Sequence, residues 1–310
     1  MAFLASFAKD AYYISAGITS FAGGLIRHGQ GFLIYPSAFP VGPRDPIATP
    51  DKHGLPYEDL TLETPDGLKI RGYLMRQQVR SHSRSTTSLA TSDDERDKAY
   101  SRTRPTVILF HGNAGNIGNH IPFARVFFVN MRCNVLLMSY RGYANSEGTP
   151  SEKGLRIDAQ TTLDFVMSDP ILKDTRVVLH GQSLGGAVAI DLASRNPDAV
   201  HGLILENTFL SIPALIPTVM PILSSFTRFC NQKWNSAEAI TLIPPTTPML
   251  FLSGLQDEVV PASHMAELFK IATQKEVKGR KLVEFPDGLH NTTCIKEGYW
   301  EAVAQFMQEV

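Results

Sequence analysis

The residues with the clearest chemical potential lie in the segment Gly181-Gln182-Ser183-Leu184-Gly185, which has the pattern G-x-S-x-G. An apolar run precedes it and an Ala-, Leu- and Ile-rich stretch follows it, so we predict a strand, a sharp turn and a helix. The turn would expose the hydroxyl of Ser183 at the N-terminus of the helix, and we predict Ser183 as a nucleophile. A glycine-rich turn with an inactive serine is the alternative.

A neutral serine hydroxyl needs a general base to activate it. Three histidines follow Ser183 in the chain, namely His201, His264 and His290. His201 precedes a predicted strand and would lie at the wrong edge of the sheet, and His264 begins a predicted helix. His290 follows the last predicted strand, at the edge where the loops of an open α/β sheet build ligand sites. We therefore predict His290 as the general base.

A third group must orient the histidine and stabilise its charged form. Asp257 lies just past the carboxyl end of a predicted strand, and we expect it to accept a hydrogen bond from His290. Three other carboxylates are candidates, namely Glu206, Glu258 and Asp287. Glu258 should point elsewhere and Asp287 is too close to His290 in sequence. Glu206 ends a predicted strand and remains an alternative acid.

The loop at residues 111–118 is rich in glycine, as expected where a backbone must approach a substrate closely. We predict that the backbone N–H groups of Asn113 and Leu184 form an oxyanion hole, since two positioned donors can each contribute about 10²–10³ in rate. A nucleotide-binding loop is the alternative, but the spacing G-x-x-G-x-x-G does not match that motif. His111 belongs to no metal-ligand motif, so we expect neither a metal nor a cofactor.

These residues need a scaffold that brings distant loops together, and the chain as a whole predicts one. Short β-rich runs alternate with helical stretches, which is typical of an α/β domain with a mostly parallel sheet and helices on both faces. The turn at residues 64–67 would join the first two strands as an antiparallel hairpin. We predict eight strands, at residues 58–63, 68–74, 106–110, 134–140, 176–180, 202–205, 249–253 and 281–285.

Two segments lie outside this pattern. Residues 1–40 carry an apolar stripe with spacings of three and four, which predicts a helix. Its uncharged part, residues 11–26, is shorter than the roughly 20 residues that span a bilayer. The helix would lie on the protein's own body, on a second copy, or on a membrane through residues 1–28. Residues 77–104 are rich in Ser, Thr, Arg and Asp, and we predict a disordered insertion without a catalytic role.

Residues 207–248 occupy the place where a lid would cover the predicted site. Prolines recur every four residues from Pro213 to Pro221 and prevent a long continuous helix. We therefore predict a short, apolar, broken lid, part of which would belong to the core. Such a lid favours a substrate that bears an acyl or lipid group.

The composition narrows the classes of partner. The chain has 310 residues, with 29 Lys and Arg against 30 Asp and Glu, so we do not expect a basic surface that binds nucleic acid. The three cysteines show no C-x-x-C spacing, which argues against a disulfide framework and a thiolate zinc site. The length permits one large domain or two small ones, and the strand pattern favours one, at residues 41–310. The oligomeric state stays open.

Taken together, these segments resemble the α/β-hydrolase superfamily, and more narrowly the bud-emergence (Bem forty-six-like) hydrolases of fungi and their animal and plant relatives. The resemblance is carried by residues 111–116, 140–143, 146–148, 181–186 and 206–209, and by Asp257 with His290 and Asn291. It implies a Ser-Asp-His hydrolase with a membrane-anchoring N-terminal segment, at the endoplasmic reticulum or plasma membrane. A cytoplasmic protein is the alternative.

Three positions depart from the pattern of that family. They are Ser139, where an acidic residue is common, Ala144, where glycine is usual, and Leu289, where a small or hydroxylated residue is common. None of them removes a predicted catalytic residue, so we expect the differences to affect the shape of the pocket.

The sequence therefore predicts a serine hydrolase that cleaves an ester or thioester through Ser183, His290, Asp257 and a covalent acyl-enzyme. An acyl- or lipid-bearing substrate at a membrane fits the apolar lid. A serine aminopeptidase is an alternative, but it would need an acidic pocket for a free amine. A non-catalytic scaffold on the same fold is a second alternative, and it would be expected to lose one of the three residues.

Overall fold

The computed structural model describes residues 29–35, 47–79, 90–274 and 277–310. Eight strands form a single sheet. They are β1 Glu58–Glu63, β2 Lys69–Met75, β3 Thr106–Phe110, β4 Asn134–Met138, β5 Val177–Gln182, β6 Gly202–Glu206, β7 Met249–Gly254 and β8 Arg280–Phe285. Their order is β1-β2-β4-β3-β5-β6-β7-β8. The pairs β1–β2 and β2–β4 are antiparallel, and every pair from β4 to β8 is parallel.

Helices connect the strands and flank the sheet. The α-helices of the described chain are α1 Gln30–Ile34, α2 Ala90–Arg102, α3 Ile121–Arg125, α4 Glu152–Ser168, α5 Leu184–Arg195, α6 Ile212–Val219, α7 Ser236–Ala239, α8 Ala262–Ala272 and α9 Tyr299–Glu309. Short 3-10 turns lie at Pro50–His53, Ile117–His120, Pro221–Phe229, Ile240–Leu242 and Thr293–Ile295, and a π-turn at Val126–Asn130 follows α3. The helices in residues 207–248 are therefore short, and α6 contains Pro217.

Strand residues alternate between two buried apolar clusters, one on each face of the sheet. In β3, Ile108 and Phe110 belong to the cluster that contains α4, α5 and α8, whereas Val107 and Leu109 belong to the cluster that contains α3 and α9. Because helices cover both faces, every residue of β3 to β7 is buried. The predicted eight-stranded, mostly parallel sheet with helices on both faces is confirmed, and the strand ends lie within two residues of the prediction.

The prediction of disorder at residues 77–104 is wrong for the C-terminal half of that segment, where α2 forms a helix at Ala90–Arg102. The end of α2 is tied to β4, because the Ser101 hydroxyl donates to Asn134 Oδ1 (2.7 Å) and Asn134 Nδ2 donates to the Ser101 carbonyl (3.0 Å). Polar anchors thus order a segment without an apolar stripe. Residues 80–89 lie outside the described residues.

The helix predicted near the N-terminus falls mainly on residues 1–28, which lie outside the described residues. The described part of this region is α1, which leads into the buried Tyr35. The Tyr35 hydroxyl accepts a hydrogen bond from Trp234 Nε1 (2.9 Å), so α1 is attached to residues 207–248. Within the described ranges, no helix has the length and apolar character needed to cross a membrane.

A buried ion pair fixes the loop after β4. Arg141 and Asp158 are both buried, and Asp158 accepts hydrogen bonds from Arg141 Nε (2.9 Å) and from the Arg141 backbone N–H (2.8 Å). Arg141 Nη1 also donates to Asp66 Oδ2 (2.7 Å), on the hairpin β1–β2. The same loop carries the fully buried Tyr143. A buried pair with its hydrogen bonds satisfied holds one geometry, and removing one partner leaves an uncompensated charge.

Replacing Arg141 with methionine should lower the free energy of unfolding by about 3–5 kcal/mol, because Asp158 then stays buried without its partner. Asp66→Asn is the matched control, since the Asp66 side chain is 40% exposed and its loss should cost about 1 kcal/mol or less. Urea unfolding followed by circular dichroism measures both variants. Equal losses would contradict a dominant role for the buried pair.

Candidate active site

Ser183 lies in a sharp turn between β5 and α5, with φ 53° and ψ −118°. Positive φ is strained for a residue with a side chain, so the turn persists only because its surroundings hold it. A Cβ on Gly181 would lie 2.2 Å from the Gly185 carbonyl oxygen, and a Cβ on Gly185 would lie 2.0 Å from the Phe110 carbonyl oxygen. Only glycine fits at these two positions. The turn therefore places Ser183 at the N-terminus of α5, as the sequence predicted.

His290 and Asp257 meet in the loops that follow β8 and β7. His290 Nδ1 lies 2.7 Å from Asp257 Oδ2, and both side chains are buried. The other oxygen, Asp257 Oδ1, accepts hydrogen bonds from the backbone N–H groups of Val259 (2.8 Å) and Val260 (2.7 Å). These donors leave Oδ2 to accept a hydrogen bond from the Nδ1–H group of His290. The imidazole is then the tautomer whose Nε2 has a free lone pair.

Two side chains that the sequence analysis did not single out hold the His290 loop against the sheet. Gln182 Nε2 and Asn207 Nδ2 each donate to the His290 carbonyl (both 3.1 Å). Asn207 Oδ1 accepts a hydrogen bond from the Gly254 backbone N–H (2.8 Å), at the end of β7. Gln182 and Asn207 therefore position the histidine. Both lie in segments that carry the family resemblance, which is the signal that could have identified them.

The alternative acid, Glu206, is engaged elsewhere. It is fully buried, its Oε2 accepts a hydrogen bond from the Tyr299 hydroxyl (2.7 Å), and it lies 4.0 Å from His180 Nε2. Burial raises the pKa of Glu206 to about 7, and the bond from Tyr299 partly opposes this shift. Within the described residues, no hydrogen bond joins Glu206 to His290, whereas Asp257 contacts the His290 imidazole.

The other rejected candidates also have local partners. His201 Nδ1 accepts a hydrogen bond from the Val177 N–H (3.2 Å), at the start of β5 and so at the opposite edge of the sheet. His264 Nδ1 accepts one from the Leu210 N–H (3.2 Å). The remaining two acids are Glu258, which accepts from the His290 backbone N–H, and Asp287, which pairs with Lys296.

The loop after β3 is fixed by the side chain of Asn113. Asn113 Nδ2 donates to the Ile34 carbonyl (2.5 Å), and Asn113 Oδ1 accepts a hydrogen bond from the Tyr143 hydroxyl (2.6 Å). Among the described residues, the backbone N–H groups of Asn113 and Leu184 donate to no backbone carbonyl, so both are available to a ligand. Both residues line the same cavity as Ser183 and His290. The structure thus brings all five predicted site residues together.

This cavity has a volume of about 980 Å³ and two chemically different walls. Most of the large apolar side chains that line it come from the segment after β6, and we call this group the apolar wall: Phe209, Ile212, Leu215, Ile216, Val219 and Met220. The polar wall contains Asn116, Asn119, His120, Gln182 and Asn291. Among the described residues that line it, none is Asp, Glu, Lys or Arg. A ligand that fits here has an apolar part and an uncharged polar part.

Three further histidines, His111, His120 and His180, are buried. Burial lowers the pKa of His111 to about 4 and of His180 to about 3, and it lowers the pKa of His120 as well. The three rings are therefore neutral near pH 7. Within the described part of the chain, no group of three or more His, Cys, Asp or Glu side chains is arranged to hold a metal ion.

Comparisons with known proteins identify the fold and the family. The profile of the α/β hydrolase fold matches residues 105–231. Protein bem46 of Schizosaccharomyces pombe is 43% identical over 95% of this chain and 91% of its own length. A protein of Saccharomyces cerevisiae described as an uncharacterized membrane protein, YNL320W, is 39% identical over 94% of this chain and 93% of its own length.

A solved structure shares the fold at low sequence identity. The esterase Pf2001 of Pyrococcus furiosus superposes with a TM-score of 0.66 at 17% identity, covering 86% of this chain and 97% of that one. The fold and the two long sequence matches together confirm the resemblance inferred from the motifs. The chain belongs to the Bem46-like family of α/β-hydrolase fold proteins.

Proposed function

We propose that the protein is a serine hydrolase that cleaves an ester or thioester bearing an acyl chain. The observation that carries this proposal is the contact of 2.7 Å between His290 Nδ1 and Asp257 Oδ2, beside a cavity that Ser183 also lines. A nucleophile, a base and an orienting acid on three separate loops are the set that acyl transfer needs.

In the proposed mechanism, Ser183 Oγ attacks the carbonyl carbon of the substrate while His290 Nε2 takes the hydroxyl proton. The negative oxygen of the tetrahedral intermediate accepts hydrogen bonds from the N–H groups of Asn113 and Leu184. His290 then returns the proton to the departing alcohol or thiol, and the acyl group stays on Ser183. Water attacks this acyl-enzyme with His290 again as the base, and the carboxylic acid leaves.

Asp257 acts through His290 and not on the substrate. Its Oδ2 accepts a hydrogen bond from the Nδ1–H group, which leaves Nε2 available to remove the proton of Ser183. When the imidazole becomes positively charged, the adjacent carboxylate stabilises that charge. The backbone donors on Asp257 Oδ1 keep the carboxylate in place throughout the reaction.

The cavity walls support the proposed substrate class. An acyl chain packs against the apolar wall, because burying apolar surface is favourable at about 25 cal/mol per Å². An aminopeptidase would need a carboxylate for the free amine of its substrate, and none lines the cavity among the described residues. All three catalytic candidates are present, which argues against a non-catalytic scaffold.

A fluorophosphonate probe should label the wild-type protein, because such probes react with an activated serine. Ser183→Ala should abolish labelling, and His290→Ala should slow it by about 10²-fold or more, since the serine loses its base. Ser225→Ala, which removes an exposed serine, is the matched control and should label normally. Gel fluorescence and intact mass measure the label. Equal labelling of the Ser183 variant would refute the catalytic proposal.

Asp257→Asn should lower kcat by about 10⁴-fold with a short-chain ester, because an amide cannot hold His290 in the required tautomer and charge state. Glu206→Gln is the matched control: the amide oxygen still accepts the Tyr299 hydroxyl, and turnover should fall less than about tenfold. Steady-state kinetics decides between the two carboxylates. A severe loss at Glu206 with a mild loss at Asp257 would move the acid role to Glu206.

We also propose that residues 1–28 attach the protein to a membrane. Residues 11–26 carry no charge, and the relative YNL320W is described as a membrane protein. Deletion of residues 1–28 should move the protein from the membrane pellet to the soluble fraction after cell fractionation. An unchanged distribution would contradict an anchoring role for this segment.

A further inference from the structure

An exposed apolar patch lies beside the cavity. The 3-10 segment Pro221–Phe229 contains no buried residue. Three of its large side chains are strongly exposed, with Ile222 at 90%, Phe226 at 52% and Phe229 at 48%. We call Ile222, Phe226 and Phe229 the lid patch. Single exposed apolar residues are common, but a cluster of this kind marks an interaction surface.

The lid patch continues the apolar wall of the cavity toward the outside. Val219 and Met220 immediately precede the segment, and both line the cavity. Val219 is itself 40% exposed, so apolar surface extends from the interior of the cavity to the patch. Whatever covers the patch is therefore adjacent to residues that line the cavity.

The N-terminal segment joins the described structure at the edge of the lid patch. Gln30 Nε2 donates to the Phe229 carbonyl (2.8 Å), and the Asn231 N–H donates to Gln30 Oε1 (2.8 Å). Residues 1–28, whose sequence predicts an amphipathic helix, directly precede this junction. The part of the chain that directly follows residues 1–28 is thus hydrogen-bonded to the segment that carries the lid patch.

The charges near the lid patch favour a partner with negative charge. The sequence contains no Asp or Glu between Asp10 and Asp45, or between Glu206 and Glu238. The Arg228 guanidinium lies 4.7 Å from the centre of the Phe229 ring. Aromatic and basic side chains together are typical of the boundary between lipid headgroups and acyl chains.

One carboxylate approaches this region from a neighbouring element. Glu152 Oε2 accepts a hydrogen bond from the Lys233 backbone N–H, and Glu152 Oε1 pairs with Arg156 at 2.8 Å. The negative charge of Glu152 is therefore largely satisfied within the protein. A two-fold contact between two copies would bring two Arg228 side chains together, whereas anionic headgroups would attract them.

We propose that the lid patch docks on a lipid bilayer that contains anionic headgroups. In this orientation the entrance of the cavity faces the bilayer, so an acyl chain moves from lipid to the apolar wall without crossing water. The transfer of an acyl chain into the cavity rests on the proposed hydrolase function, whereas the docking of the lid patch on the bilayer does not.

Insertion is tested directly with Phe226→Trp in the full chain. Vesicles contain phosphatidylcholine and phosphatidylserine, with phosphatidylcholine brominated on its acyl chains as the quencher. The tryptophan at position 226 should be quenched beyond the quenching that the parent protein shows. Ile295→Trp, at a position that is more exposed to water (76% against 52%) and lies outside the lid segment, should not add to the quenching. Absence of quenching at position 226 overturns the proposal, even if residues 1–28 hold the protein on the vesicles.

Affinity is tested by sedimentation with the same vesicles without bromine. The triple variant Ile222→Ser, Phe226→Ser, Phe229→Ser should bind at least about tenfold more weakly. The matched control carries three serines at exposed apolar positions elsewhere, Val79, Met167 and Ile295, and should bind like the wild type. If the triple variant instead abolishes a dimer seen by sedimentation equilibrium in the absence of lipid, the patch binds a second copy and the proposal is wrong.

Hydrolysis of a water-soluble, short-chain ester separates this proposal from the proposed function. The three lid-patch residues do not line the cavity, so the triple variant should keep the wild-type rate. If the tryptophan at position 226 is quenched but the wild-type protein hydrolyses no ester, the docking is supported and the hydrolase function is refuted. A protein that hydrolyses the ester but does not insert refutes the docking alone.

Discussion

The backbone of Ser183 is the constraint on which the rest of the site depends. It reverses the chain between β5 and α5 at a positive φ, a conformation that costs on the order of 1–3 kcal/mol. The close approach of strand and helix requires that Gly181 and Gly185 carry no side chain. The Ser183 N–H donates to the Glu206 carbonyl (2.9 Å), so β6 holds the turn from the other side. A serine at the centre of the sheet can be reached only by loops that leave the same edge.

Those loops are fixed by hydrogen bonds that also connect the site to α1 and to the segment after β6. Asn113 is bonded to Tyr143 and to the carbonyl of Ile34, at the end of α1. The other end of α1, at Gln30, is bonded to the segment that carries the lid patch. The predicted oxyanion loop, α1 and the lid patch thus form one connected unit. The chain that leads to residues 1–28 is part of the architecture around the cavity.

Local sequence patterns were sufficient to predict the strands of the sheet but not the helix α2. The central strands are buried on both faces, so each is a short apolar run in the sequence, whichever strands lie beside it in the sheet. By contrast, α2 has no apolar stripe, and it is held by a hydrogen-bonded pair between Ser101 and Asn134. The supporting roles of Gln182 and Asn207 were also missed. Their common partner, the His290 carbonyl, lies 108 and 83 residues away in the chain, a separation that no local pattern can reveal.

The sequence by itself determined the α/β class, the serine turn and the short set of groups able to act with it, because these depend on residue spacing within single elements. It favoured Asp257 as the acid and left Glu206, at the end of a neighbouring strand, as the alternative. Only the tertiary structure decided which of them contacts His290. Asp257 meets the imidazole with both of its oxygens hydrogen-bonded, whereas Glu206 is buried against Tyr299, where desolvation favours its neutral form. Burial and hydrogen-bond partners separate two identical functional groups, and both depend on chain segments distant in sequence.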